Sequence, residues 1–380
     1  MSKLIGEGGF GCVYYPQFNC EGKVVSSKKN VSKIQIFDKY VSRELNIGKI
    51  ITKIPYYEFY FAPIIKSCKI NIASFDNKSL LKDCEIIKDN SNFILSTIPY
   101  VKGPEFKNYI GTLRENELYV IILLNSYYYL LNSLQILYNI NICHYDIKFE
   151  NIVYNSLKKK PIIIDFGLSF SFSDIETYSS IYSLKKFFYI YAPQYYVWCP
   201  EIQIISYIVD NHKDNKNIIT KSVLENILEE IVEGMNIWYL FSLDFKKKYF
   251  QNLYSFYSRF IDKDNDYIIK ELFKYRSTWD TYSLSISFLK EFIYKLRDSS
   301  SLKNEEAILL IIIQLLLYSL SPNPTKRPSI ATLKEILYNT FNQNFPNSIS
   351  GTYLNFSLNN SEYKYITTKI IPNLYFFINK

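Results

Sequence analysis

The chain has 380 residues, 48% of them hydrophobic, enough for one large domain or two lobes with separate cores, which excludes a disordered tail. Its net charge of +8 comes from 44 basic residues interleaved with 36 acidic ones, a pattern that fits a solvated lysine-rich surface better than a nucleic-acid groove. Six cysteines without C-x-x-C spacing and only two histidines, His144 and His212, argue against a zinc site or a histidine-centred triad; they predict free thiols in a reducing, cytoplasmic setting.

The elements are taken in chain order. Lys3 to Ile36 alternates short β-like runs with turns, the pattern of a β-meander. The stretch "DKYVSRELNIGKIITKI" then carries Val41, Leu45, Ile47 and Ile51 on one helical face, with Pro55 as a stop. "YFAPII" and "NFILSTIPYV" read as further strands. Beyond Gly103 helical periodicity takes over, first in "ENELYVIILLNSYYYLLNSLQILYNI", interrupted by a short buried strand in "KKKPIIIDFG". "SVLENILEEIVEG" reads as an amphipathic helix with a Ser222/Glu225 capping box and a terminal Gly234. The longest apolar run, Ala307 to Leu320, is shorter than a bilayer span of about 20 residues and is expected to be a buried core helix. With a motif at the very N-terminus leaving no room for a signal peptide, a soluble protein without membrane attachment is expected. The heavy use of Ile, Asn, Lys and Tyr matches an AT-rich coding bias, which weakens any argument from aromatic abundance.

Three groups of residues carry chemistry. "IGEGGFGCV", Ile5 to Val13, places Gly6, Gly8 and Gly11 in G-x-G-x-x-G, where missing Cβ atoms let backbone N–H groups approach phosphate oxygens. A strand follows it, so the loop caps a hairpin; a helix would be required for a dinucleotide fold, and no G-K-[S/T] marks a P-loop. A Gly-rich hairpin without a ligand remains the alternative. Lys33 lies on a strand, facing the same side as Val31, and could neutralise phosphate if an acid held it; Glu44 is the candidate, with Asp38 the competing carboxylate. Lys28 and Lys29 are rival lysines, and a plain surface lysine is the bland reading. In "CHYDIKFEN", Asp146, Lys148 and Asn151 group a carboxylate base, a cation and an amide oxygen, and Asp165 in "IIIDFG" adds a hard oxygen ligand at a strand end. Phosphoryl transfer asks for such a set.

In order and approximate spacing, these motifs resemble the eukaryotic protein kinase family. The likeness continues through "IPYVKGPE", "WCPE", "DTYSLSI" and "NPTKRPS", to about Leu337. The resemblance implies an α+β, bilobal kinase fold: a kinase domain over 1–340, with a β-rich N-lobe 1–101 containing one main helix, a mainly helical C-lobe 102–340, a helical insertion at about 205–278, and a tail 341–380. It implies ATP bound by Ile5, Gly6, Glu7, Gly8, Gly9, Phe10, Gly11, Cys12 and Val13, by Lys33 held by Glu44, and by the hinge residues Tyr100 and Val101, with Ile98 as gatekeeper and Glu105 reaching the ribose. It further implies Mg2+ on Asn151 and Asp165, Asp146 as the catalytic base, Lys148 beside the transferring phosphoryl group, and a Glu201–Arg327 ion pair. Lys148 is the serine/threonine-kinase choice, so the expected substrate is a Ser/Thr hydroxyl of a protein. His144 is then structural. A pseudokinase scaffold is the alternative, and the insertion could dock a partner or merely pack on its lobe. The composition and the insertion also resemble divergent kinases of large DNA viruses.

Besides Cys199, Tyr282 and Ser285, substituted within the later motifs, three further positions depart from the family pattern. Tyr145 replaces the arginine that reads a phosphorylated activation loop, Gln194 stands where a threonine is usual, and Gly48 replaces an apolar residue one turn after Glu44. Tyr145 therefore predicts activity that does not depend on loop phosphorylation.

Overall fold

The computed structural model describes residues 2–8, 11–75, 81–88, 92–114, 118–211, 218–298 and 306–344. Gly9, Phe10, His212 and the tail beyond Asn344 lie outside the described residues. Two compact units emerge: Met1–Tyr109 with Ile142–Ser171, and Ile110–Asn141 with Phe172–Lys380.

The first unit is built on a five-stranded antiparallel sheet. Strands β1 (Lys3–Gly8), β2 (Gly11–Tyr15), β3 (Asn30–Ile36), β5 (Lys66–Ile70) and β6 (Phe93–Pro99) lie in the order β1-β2-β3-β6-β5. One helix, α1 (Lys39–Ile51), follows β3, and the two-residue β4 (Phe61–Ala62) pairs elsewhere. The expected meander and helix are present. β5, rich in Lys and Ser and with mostly exposed or half-buried residues, was invisible to the hydrophobic pattern. Asp38 caps α1 through its Oδ1, which accepts from the Tyr40 and Val41 N–H groups at 2.9 and 2.8 Å, so it is removed from competition for Lys33. Alternation along β2, β3 and β6 sends Cys12, Tyr14, Ile34, Phe93 and Leu95 into one core, closed by Phe18, Phe75 and Leu81.

The cysteines correct the reading of six free thiols. Cys12 is bonded to Cys84 and Cys20 to Cys68, across 72 and 48 residues of sequence; only Cys143 and Cys199 stay outside a disulfide, both buried. Pairs made by tertiary folding leave no local spacing to read, and cysteine usage no longer argues for a reducing compartment.

The second stretch of this unit carries β7 (Ile142–Cys143), β8 (Ile152–Asn155), β9 (Lys160–Ile164) and β10 (Phe170–Ser171). β9 is the expected buried strand; it runs parallel to β4 and antiparallel to β8, while β7 pairs with β10.

The second unit is helical. α3 (Tyr119–Asn139) has the length and hydropathy of a membrane span, yet it is a core helix: Leu123, Leu124, Tyr127, Leu130, Leu131 and Leu134 are buried, and it packs with α9 (Trp279–Asp298) and α11 (Ile330–Asn344). α10 (Glu306–Ser319) is the expected buried apolar helix, with Leu309 to Ile313 and Leu316 almost inaccessible. The short α2 (Phe106–Gly111) precedes α3, and α4 (Phe172–Glu176) and α5 (Pro200–Asn211) follow β10. The insertion forms α6 (Lys221–Gly234), α7 (Leu243–Tyr257) and α8 (Asn265–Phe273). α6 is capped by Thr220, whose Oγ1 accepts from the Val223 N–H at 3.4 Å; this replaces the expected Ser222/Glu225 box, because the helix starts a residue before Ser222.

Candidate active site

Every described residue expected to act in chemistry falls in the first unit. β1 and β2 form the expected hairpin, with Gly8 opposite Gly11 and a register shift between Leu4 and Gly6 that makes Ile5 a bulged, half-exposed residue. Gly11 is obligatory: its φ is +153°, and a Cβ there would lie 2.5 Å from the Ile34 carbonyl oxygen of β3. Cys12 points into the core and is bonded to Cys84, so only its backbone remains for a phosphate. Glu7 accepts from the Glu85 N–H at 2.8 Å, a tie between the hairpin and a segment far along the chain.

Lys33 stands opposite Val13 on β2 and Ser96 on β6 and is 7% exposed. Its Nζ lies 3.5 Å from Glu44 Oε1 and 3.2 Å from Asp165 Oδ1. The lysine, helix-borne acid and strand-end acid named from sequence are therefore one cluster. Burial disfavours the Lys33 charge, but Glu44 and Asp165 outweigh it and hold the ammonium above the ordinary lysine range. Burial pushes the Glu44 carboxyl up, with Lys33 opposing. Burial also acts to raise Asp165, but Lys33 prevails and holds it below the usual carboxylate value.

Gly48 explains itself here. A Cβ on it would lie 2.2 Å from the Ile64 carbonyl oxygen, so the missing side chain lets α1 seat backbone against backbone, one turn beyond Glu44. The helix register that presents Glu44 is thus fixed by close approach.

The turn after β7 builds the second cluster. Asn151 Nδ2 donates to Asp146 Oδ2 at 2.8 Å and to its backbone carbonyl at 2.9 Å; Lys148 Nζ donates to the same Oδ2 at 3.0 Å. His144 is fully buried; its Nδ1 accepts from the Asp146 N–H at 3.3 Å, which assigns the hydrogen to Nε2, facing the Ile164 carbonyl at 3.2 Å. The histidine braces the loop to the end of β9. Ser169 adds a brace the sequence did not announce, donating to the His144 carbonyl at 3.0 Å.

The oxygen donors suit a hard cation. Lys33 and the Gly167 N–H both bond Asp165 Oδ1, so Oδ2 is the oxygen available, and the Asn151 amide oxygen remains once its nitrogen is committed to Asp146. A protein site of one carboxylate and one amide suits Mg2+, which keeps water and phosphate ligands, better than Zn2+ or Ca2+. Glu7, Cys12 and Cys84 form a second close group of potential ligands, but the disulfide removes both sulfurs as metal ligands.

Around the expected nucleotide pocket, Val31 pairs with Ile98, and the Tyr100 N–H donates to the Lys29 carbonyl at 2.8 Å while its ring stacks on Tyr15 at 4.0 Å. Val101 follows, half-buried, and Glu105 bridges in strand fashion to Val153, its carboxyl raised by burial and by Glu150. In the second unit, Arg327 Nη1 meets Glu201 Oε2 at 3.0 Å with both side chains buried, as expected. Sequence reasoning missed their supports, Tyr257 donating to Glu201 at 2.8 Å and the Tyr282 ring 5.0 Å from the guanidinium.

The fold is a mixed α+β chain, an antiparallel sheet followed by a helical region, consistent with the two-lobed protein-kinase fold. The chain is similar to the probable serine/threonine-protein kinase fnkB of Dictyostelium discoideum, 27% identical over 136 residues, 31% of this chain and 25% of that protein. It is also similar to calcium-dependent protein kinase 3 of Plasmodium yoelii yoelii, 28% identical over 174 residues, 45% of this chain and 27% of that protein. The aligned part spans about a quarter of each relative's length. No family model matches the chain. The two likenesses support a relationship to protein kinases.

Proposed function

We propose that the chain is an ATP-dependent protein kinase acting on serine or threonine hydroxyls. The observation that carries this reading is Lys33 gripped between Glu44 and Asp165, on the strand paired with the glycine hairpin and in the same unit as the Asp146–Lys148–Asn151 cluster. In this reading the hairpin N–H groups cover the phosphates and Lys33 orients them. Asn151 and Asp165 would hold Mg2+, which when bound would supply charge neutralisation to the phosphate oxygens. Asp146 orients the substrate hydroxyl and takes its proton as the new P–O bond forms and the bond from the γ-phosphorus to the bridging oxygen breaks; ADP leaves. Lys148, bonded to the same carboxylate, lies beside the developing charge.

The second reading, a scaffold that binds nucleotide without turnover, is separated by one experiment. Thermal shift with ATP and Mg2+, then transfer of labelled phosphate to peptide arrays, is run on wild type and Asp146→Asn. The expected result is stabilisation of both proteins, and transfer by wild type reduced at least about a hundredfold in the variant. Stabilisation without transfer by wild type would leave the scaffold standing.

A further inference from the structure

We propose that Gln35 is a positioning residue for the Lys33–Glu44 pair, holding Glu44 Oε2 while Lys33 pairs with Oε1; its catalytic consequence rests on the phosphotransfer reading above. On β3, residues two apart share a face, so Gln35 and Lys33 both meet α1. The Gln35 amide is 1% exposed, its Nε2 donates to Glu44 Oε2 at 3.2 Å, and its Oε1 accepts from Ser96 Oγ at 3.4 Å. The ionised acid can only accept, so it takes the amide N–H, and Ser96 on β6 holds the amide oxygen at the other end.

Glu44 needs this second partner. Its carboxylate is 3% exposed, and Lys33 is shared with Asp165, which is the nearer acid. A cavity of about 140 Å³ adjoins Glu44, bordered by Gln35, Tyr40, Val41 and Ile86. A carboxylate released by Gln35 has room to swing there, leaving Lys33 to Asp165 alone. Burial raises the Glu44 carboxyl, and the Gln35 N–H acts against that, favouring the ionised form. The charged and titratable groups around Glu44 are Lys33 from β3, Asp165 after β9, and Asp38 and Tyr40, which border the same cavity.

The test compares wild type with Gln35→Met, which keeps length and removes both polar atoms, and with Gln35→Glu. For Gln35→Met, kcat should fall about tenfold with a smaller change in KM for ATP, and the acid limb of the pH profile should move to higher pH, because Glu44 loses a bond to its ionised form. Gln35→Glu should be weakest at neutral pH and regain activity as pH falls, since a protonated carboxyl donates where the amide did. Independently of turnover, carboxyl-labelled glutamate NMR, assigned with Glu44→Gln, should show the Glu44 titration shifted upward in Gln35→Met. Circular dichroism verifies folding. An active wild type with Gln35→Met unchanged in kcat and acid limb, or an unshifted Glu44 titration, overturns the positioning role. A wild type that transfers no phosphate while Glu44 shifts on Gln35→Met overturns the kinase reading alone.

Discussion

Tyr145 is the residue at which the sequence departs most pointedly from the family it resembles. It is 1% exposed, packs edge-to-face on Phe170 at 5.2 Å, and has a φ of +71°. A bulky side chain in the left-handed region costs of the order of 1–3 kcal/mol, borne by the surrounding structure. Asp165, at φ +59°, shares this strain. A ring so placed serves the core and has no charge to offer a phosphate. The hydroxyls between Asp165 and Glu201 are not all equivalent, however: Ser169 holds His144, and Ser180 caps a turn with Ser183. The exposed Ser173, Thr177 and Ser179 are the test: Ser173 accepts from Asn141 Nδ2 and Thr177 donates to the Ser173 carbonyl, but both bonds lie at the surface. Replacing these three by Ala should leave kinase activity within about twofold, the scale of ordinary surface substitutions. Loss of most activity with an intact fold, measured by phosphate transfer after phosphatase treatment, would show that a loop phosphate is required. At this scale much was legible: Lys33, Glu44, Asp146, Asn151 and Asp165 were named from type and spacing. Gln35 was not, because a buried glutamine in a strand announces nothing until the acid it touches is in place.

At the scale of elements, the insertion fastens the segment between Phe172 and Glu201. Phe188 is fully buried against Phe273 of α8 and Trp279 of α9, with centroids 6.0 and 6.1 Å apart. Tyr178 donates to Asp266 at 2.5 Å, and Arg276 pairs with Glu176. The end of α6 makes a third attachment: a Cβ on Gly234 would lie 2.2 Å from the Pro193 carbonyl oxygen. That glycine, read from sequence as a helix stop, is needed for close packing beside Gln194. Sequence periodicity foresaw the α6 helix, but which face it covered depends on long-range contacts that no local pattern carries. Phe273→Ala removes the ring that meets Phe188, Tyr178 and Trp279. It should cost about 3–5 kcal/mol in urea unfolding and open the Phe172–Glu201 stretch to limited proteolysis. Unchanged cleavage there would reduce the insertion to a passive decoration of its unit.

Across the whole molecule, covalent bonds are unevenly placed: both disulfides lie in the first unit, and the second has none among its described residues. The Cys20–Cys68 loop is nested within the Cys12–Cys84 loop, so their contributions do not add. Closing 72 residues removes chain entropy worth roughly 4 kcal/mol at 25 °C in the loop-closure model, and the inner bond, acting on a loop already shortened, adds less. Cys12 follows Gly11 in the glycine hairpin, so the outer bond ties that hairpin to the segment around Cys84, where Glu7 also accepts from the Glu85 N–H. Reduction should therefore act selectively. In calorimetry, a strong reductant should lower the unfolding temperature of the first unit and leave that of the second nearly unchanged. Hydrogen exchange should rise in β1, β2 and 81–88 before it rises in α3, α9 or α10. Cys12→Ser with Cys84→Ser should reproduce most of the effect, whereas Cys20→Ser with Cys68→Ser should show less of it. Equal losses in both units would mean that they unfold as one cooperative block, and no loss at all would mean that the denatured chain is already as compact as the bonds would make it.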